Sequence, residues 1–357
     1  MAKTAELVGT SEVAEMLGIT KQTLSNWRTR NADFPPSVAE LRSGPVWRRE
    51  DIAAWAAATG IQLADGDHKR MKSVSRKRNA VVVAIVNMKG GVGKSTITAN
   101  LGWHSAYMRD KKVLLVDLDP QFNLSQYALG SEGYQEILKK KAPTIYEIFE
   151  QTSSSPLSRN ESVDPHDAIC KVREWADGSK LDLVPSRLDL AWTLKNSSYG
   201  KAEHLANFLN SLRKSYDLIL LDCPPTQSML TDAAYQSSDF VLIPVKPEFL
   251  STIGLPLLVK SLEDFKLQHR ASRIQIAGIL FNAISPDKPE HQKSRADVVG
   301  LARRNRWYVF KNEISYSDSY PKGSREGKPI FLTGYARANK VNEFDALADE
   351  FSQRIGL

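Results

Sequence analysis

The decapeptide NMKGGVGKST, residues 87–96, holds the residue types most capable of chemistry in this 357-residue chain. Gly90, Gly91 and Gly93 let successive backbone N–H groups converge on phosphate oxygens. Lys94 can neutralise β/γ-phosphate charge, and Ser95 can offer a hydroxyl to Mg²⁺. The loop departs from the ordinary G-x-x-x-x-G-K-[ST] spacing, because Met88 stands where the first glycine belongs and Lys89 adds a second cation. Two acidic segments accompany it, LLVDLDPQFN with Asp117 and Asp119, and YDLILLDCPP with Asp222. A carboxylate at the C-terminal end of a strand beside a phosphate loop can order an attacking water and the shell of a magnesium ion. The chemistry expected is transfer of the terminal phosphoryl group of a nucleotide to water.

Such a loop works only between a strand and a helix, and the flanking segments AVVVAIV and STITANLGWHSAYM have that character. From residue 80 onward short, continuously apolar and β-branched runs alternate with amphipathic stretches: AVVVAIVN, KKVLLVDLD, LDLVPS, YDLILLD, DFVLIPV, IQIAGILFN and RWYVF. Runs of that kind suit strands buried on both faces of a mainly parallel sheet. The expected fold class is therefore α/β, a P-loop NTPase over residues 80–357 with a mainly parallel sheet flanked by helices. No internal repeat is visible. The stretch TSSSPLSRNESVDP, 152–165, reads as a surface loop.

Residues 1–60 read as a separate unit. Thr10 is a candidate N-cap, with Val13, Ala14 and Leu17 on one helical face. Gly18 breaks the helix, Ile19 packs beneath the turn, and Thr20 caps a second helix carrying Leu24 and Trp27. This is the helix-turn-helix spacing. Lys21, Gln22, Ser25, Asn26 and Arg28 on the second helix suit base edges and phosphates. The following GPVWRREDIAAW, with a hairpin around Ser43 and Gly44 and a third helix from Arg49, resembles the wing and helix of winged helix-turn-helix domains of the MerR and excisionase type. An αα-hairpin that makes protein contacts is the competing reading. Residues 61–79, with the basic HKRMKSVSRKRN, read as a linker that either touches DNA or is simply solvated.

Composition is that of an ordinary globular protein, 42% hydrophobic and 25% charged, and the net charge of +7 hints at nucleic acid or an acidic membrane as a partner, or marks a merely basic enzyme. Two distant cysteines, Cys170 and Cys223, suit a reducing compartment and offer no cluster or disulfide framework. Scattered histidines lack zinc spacing. Without a signal-peptide core or an 18-residue apolar run, the expected location is the cytoplasm, with no membrane contact.

The segment from Lys89 to Thr96 resembles the deviant Walker A loop, [K]GGxGK[ST], of the ParA/Min-type ATPases, and LDLDPQ and LILLDCPP resemble that family's DxDPQ and Walker B segments, in its order and spacing. The resemblance implies an ATPase using ATP and Mg²⁺, with nucleotide contacts from Lys89, Gly90, Gly91, Val92, Gly93, Lys94, Ser95, Thr96 and Asp117. It gives Lys89 a reach across an ATP-dependent homodimer to the partner's phosphates. Asp119 is the better candidate for positioning water, Ser95 ligates Mg²⁺, and Asp119 and Asp222 steady it through water. Asn282, in GILFNAIS, is an adenine candidate or a strand-end cap, and Lys311 and Asn312 fall in the family's later base-proximal loop. Arg303, Arg304 and Arg306, with Lys322, Arg325 and Lys340, either bind DNA without sequence preference or form a solvated face.

Missing cluster cysteines argue against an iron protein, the acidic NEFDALADEFSQRIGL against a basic membrane helix, and the lack of a tyrosine-rich tail against a tyrosine kinase. What the resemblance then implies is a ParA-type partition ATPase of the longer plasmid branch, nucleoid-associated and stimulated by DNA and a ParB-like adaptor. Its N-terminal unit would repress its own operon. An ATP-switched transcription regulator and a positioning ATPase for non-DNA cargo are the alternatives.

Overall fold

The computed structural model describes residues 6–17, 19, 21–30, 33–41, 44–59, 61, 79–150, 164–195, 200–269 and 273–357. The basic cluster of the expected linker, most of the 152–165 stretch, Gly18, Thr20, and Arg42 and Ser43 of the expected wing lie outside them, as do the side chains of Gln22 and Asn26.

The N-terminal unit runs β1 (Leu7–Gly9), α1 (Thr10–Met16), α2 (Lys21–Arg30), β2 (Ala39–Leu41), β3 (Gly44–Arg48) and α3 (Arg49–Thr59). The three strands pair antiparallel in the order β1-β3-β2. Gly9 rather than Thr10 is the N-cap of α1, with Glu12 accepting from its backbone N–H. The core is aromatic: Trp47 is fully buried and donates its indole N–H to the Pro35 carbonyl at 2.9 Å, and Phe34 and Trp55 pack edge to face at 4.8 Å. Burial of three large rings stabilises a unit too small for an extensive aliphatic core.

The larger unit runs β4 (Val81–Ile85), α4 (Lys94–Met108), β5 (Lys112–Asp117), α5 (Asn123–Lys139), α6 (Ile145–Phe149), β6 (Cys170–Glu174), β7 (Lys180–Val184), α7 (Leu190–Lys195), α8 (Lys201–Leu212), β8 (Leu218–Asp222), α9 (Met229–Ser237), β9 (Phe240–Val245), α10 (Phe249–Gln268), β10 (Gln275–Phe281), α11 (Pro289–Arg304), α12 (Ser319–Glu326) and α13 (Ala338–Ile355). Among the described residues its sheet has the order β10-β9-β4-β8-β5-β7-β6, parallel except where β6 pairs antiparallel with β7.

The apolar runs work as expected of strands covered on both sides. In β4, Val82 and Ala84 enter one apolar core with α8, α9 and α10, while Val83 and Ile85 enter the opposite one with α4 and α13. α4 lies close on the sheet because residue 102 is glycine: a Cβ there would sit 2.6 Å from Leu115 Cδ2. α13 is tied to α4 by the buried His104–Asp345 contact at 2.9 Å. Two elements depart from expectation. RWYVF makes an isolated bridge, Val309 to Ile279, rather than a strand. The edge strand β6 was not foreseen, because CKVRE is largely polar and half-exposed, as an edge permits.

Candidate functional site

The phosphate loop leaves β4 at the C-terminal edge of the sheet, flanked by β8 and β9. Asn87 secures its start, its side-chain amide donating to the Pro244 carbonyl at 2.7 Å while its oxygen accepts from Lys89 N–H at 2.9 Å. Gly93 has φ +89° and caps α4, and a Cβ there would overlap the Asn282 side chain. That amide, nine-tenths buried, donates to the Val92 carbonyl at 2.8 Å. The Val92 side chain is in the interior.

Lys94 is buried, and its ammonium donates to the Asn87 carbonyl at 3.1 Å and lies 3.5 Å from that of Lys89. Burial lowers its pKa, against the raising influence of Asp222, Cys223 and Asp119. A phosphate group would replace weak carbonyl acceptors with anionic ones.

The three carboxylates have different environments. Asp222, at the end of β8, is fully buried, and neither oxygen has a hydrogen-bond donor among the described residues; Ser95 is near enough to lower its pKa without satisfying it. Desolvation, then Asp117, drives its pKa far up. An orphaned buried carboxylate facing a serine hydroxyl and a lysine fits a hydrated divalent cation. Asp119 faces the cleft, accepting from Gln121 N–H at 2.9 Å, and desolvation raises its pKa.

Asp117 corrects the expectation of a nucleotide contact. It is fully buried and does not line the cleft, and its oxygens accept from Asp119 N–H, Ser125 N–H and the Ser125 hydroxyl at 2.7–3.1 Å. It folds the segment that presents Asp119. Burial pushes its carboxyl up to about 7 despite those donors.

The cleft has a volume of about 300 Å³ and is lined by Gly90, Gly91, Gly93, Lys94, Ser95, Thr96 and Asp119, joined by Gln121, Asn123, Gln126, Tyr127, Pro225 and Ser324. Of the latter group Gln121, Asn123 and Pro225 stood in the two acidic segments. Gln126, Tyr127 and Ser324 carry no local signal, since α12 is brought beside the cleft by packing on α5, which itself packs on α4.

Lys89 does not line this cleft. Its ammonium pairs with Glu248, which also holds Lys246 at 2.6 Å, beside a depression of about 260 Å³ that includes Leu250, Ser251 and Leu255. Hydrogen bonds from Lys246 and Lys89 hold the Glu248 carboxyl at about 2.

Other expected residues are placed elsewhere. Lys311 and Asn312 do not line the cleft; their backbone N–H groups and the Asn312 amide donate to Glu350 of α13 at 2.7–2.9 Å. The Asn282 amide is committed to the loop, as a strand-end clamp would be. Lys340 is occupied by Ser315 and Glu343. Arg303, Arg304 and Arg306 are exposed at the end of α11, near where β10 begins, whereas Lys322 and Arg325 are exposed on α12, whose Ser324 lines the cleft at the opposite sheet edge. They do not form one patch. In α2, Lys21 is buried and ion-paired with Asp110 and Asp177, so it presents no free cation to DNA. Arg28 lies 5.0 Å over the Trp47 ring and 3.6 Å from Glu40, and Ser25 is half-buried.

A doubly covered parallel sheet, a lysine-bearing glycine loop opening a helix, and two acidic strand ends beside it define a P-loop nucleoside triphosphatase. A family profile described as an AAA domain matches residues 80–276. The sporulation initiation inhibitor protein Soj of Bacillus subtilis is 29% identical over 255 residues, 70% of this chain and 90% of Soj. The cell division protein PomZ of Myxococcus xanthus is 25% identical over 356 residues, 98% of this chain and 94% of PomZ. A putative plasmid partition protein of Borrelia burgdorferi, solved with AMPPNP, superposes with a TM-score of 0.59 at 22% identity, over 78% of this chain and 100% of its own; at that identity the likeness concerns fold. The chain belongs to this AAA-domain family and, within it, to the ParA-type P-loop ATPases, which use ATP and Mg²⁺. No helix among the described residues is long and apolar enough to cross a membrane.

Proposed function

We propose that this chain is a partition ATPase that pairs into a nucleotide-sandwich dimer on ATP, associates with DNA without sequence preference, and turns over when a ParB-like adaptor engages it. The observation that carries the reading is the division of labour between its two loop lysines. Lys94 sits in its own cleft, while Lys89 stands outside it, paired with Glu248, and would exchange that carboxylate for phosphates presented by a second copy. Ser95 and, through water, Asp222 would hold Mg²⁺, which neutralises phosphate charge when bound. Asp119 faces the same cleft and would orient the attacking water, and Lys94 would draw charge from the terminal phosphoryl group.

The N-terminal unit, with α1 and α2 followed by the β2–β3 hairpin and α3, is read as a winged helix-turn-helix that binds an operator upstream of its own gene. A second reading, positioning of a cell-division or other non-chromosomal cargo, is supported by the PomZ alignment, which extends through the N-terminal unit. ATP turnover with and without duplex DNA and the adjacent-gene adaptor tests the first reading. Stimulation of tenfold or more by the two together is expected, and identical rates in all conditions would defeat it. Lys89→Ala should retain ATP binding yet stay monomeric by light scattering. Footprinting on its own promoter tests the operator, and a protected site abolished by Arg28→Ala is expected.

A further inference from the structure

Lys21 occupies the first position of α2, where the positive end of the helix dipole disfavours a cation, and it is only 7% exposed. A lysine there needs strong compensation, and both partners come from the ATPase unit. Asp110, just beyond the C-terminus of α4, lies 2.5 Å from its ammonium, and Asp177, in the turn between β6 and β7, closes the other side. Neighbouring contacts extend the junction: the Tyr107 hydroxyl donates to Thr10 at 3.4 Å, and the Ser11 hydroxyl donates to Asp177 at 3.3 Å. Burial alone would lower the Lys21 pKa, and the two carboxylates outweigh it and raise it. Despite partial burial, Lys21 and Ser179 hold Asp177 at about 2.

The N-terminal ends of α1 and α2 are thus seated on protein. In helix-turn-helix recognition the N-terminal residues of the second helix enter the major groove. The same end of α2 cannot be buried on the ATPase unit and inserted in DNA at once. We propose that the ATPase unit is an intramolecular competitor of duplex DNA for the reading end of α2, with Asp110 and Asp177 standing in for backbone phosphates on Lys21. Operator binding then requires Lys21 to exchange two carboxylates for phosphates. The seat lies at the far end of the helix that begins at the phosphate loop, about 22 Å along its axis at 1.5 Å per residue. This inference rests on the winged helix-turn-helix reading given above.

The test uses the full chain. Asp110→Asn with Asp177→Asn keeps Lys21 available while removing both charges, and Asp110→Asn alone leaves the Ser179-bonded turn at Asp177 intact. Glu132→Gln with Glu136→Gln, on the exposed side of α5, controls for the loss of two negative charges anywhere on the molecule. Small-angle scattering reports whether the N-terminal unit leaves its seat, and anisotropy of a labelled duplex from upstream of the gene reports DNA affinity. The double variant should show a larger radius of gyration and bind the duplex at least tenfold more tightly than the parent; Asp110→Asn should fall between, and the control should change less than threefold. An unchanged radius of gyration in the double variant would overturn the seat itself. A larger radius with no gain in affinity beyond the control would instead overturn DNA reading by α2, and with it the competition.

Discussion

Asn282 offers the sharpest separation between two roles for one residue. If the side chain clamps the phosphate loop, its removal should cost stability before any nucleotide is present. Its amide is nine-tenths buried and donates at 2.8 Å to the Val92 carbonyl, which would be left without that donor in Asn282→Ala. An unsatisfied buried acceptor costs about 1–3 kcal/mol, and at about 2.1 cal/mol/K of unfolding entropy per residue a unit of roughly 280 residues loses roughly 2 °C of Tm per kcal/mol. The nucleotide-free variant should therefore melt roughly 2–6 °C below the parent. The loop it releases supplies the phosphate donors, so affinity for ATP and GTP should fall together. Thermal melts without nucleotide, followed by competition binding of ATP against GTP, measure both. An unchanged melting temperature with a selective loss of ATP affinity would make Asn282 a base reader and refute the clamp.

Asp222→Asn removes a carboxylate that has no donor among the described residues, so its nucleotide-free melting temperature should match or exceed the parent's, while the Mg²⁺-dependent part of the ATP stabilisation, which totals about 2.7 kcal/mol at a hundredfold excess over Kd, should vanish; chelating Mg²⁺ from the parent should reproduce the loss. Stability without nucleotide should depend on pH through Asp117: with its carboxyl at about 7 when folded against about 3.9 when unfolded, the folded chain holds a proton that the unfolded chain has lost. Stability should thus fall as pH rises from about 4 to 7, by at most about 4 kcal/mol, and level off above. Denaturant titrations at pH 5, 6, 7 and 8 would contradict this if stability rose across that range. Asp177 and Glu248, held at about 2, act oppositely, their contributions being lost as pH falls from about 4 towards 2. Glu248→Gln should free Lys89 and strengthen ATP-dependent dimerisation only about 1.4- to fivefold, since a part-exposed ion pair contributes about 0.2–1 kcal/mol; analytical ultracentrifugation showing weaker dimers would exclude a restraining role for Glu248.

The sequence alone determined the phosphate loop, both acidic strand ends and all but one strand of the large sheet. These signals are local: β-branched runs need two covered faces, and glycines beside a lysine need a phosphate. It also determined that a hairpin around Ser43 and Gly44 and a helix from Arg49 follow the first two helices, where β2, β3 and α3 lie. Polar β6 stayed hidden, because an edge strand needs no apolar alternation.

Where each polar side chain spends its hydrogen bonds was decided only by the tertiary structure. Asp117 and Asp119 are two residues apart and chemically identical, yet Ser125 claims one and the cleft the other. Asn312 was given to Glu350 by the packing of α13, and Asn282 to Val92 by the adjacency of β10 and the loop. Lys21 is the clearest case: nothing within residues 1–60 reveals Asp110 and Asp177, because an ion pair spanning 89 and 156 positions exists only once distant stretches of the chain meet.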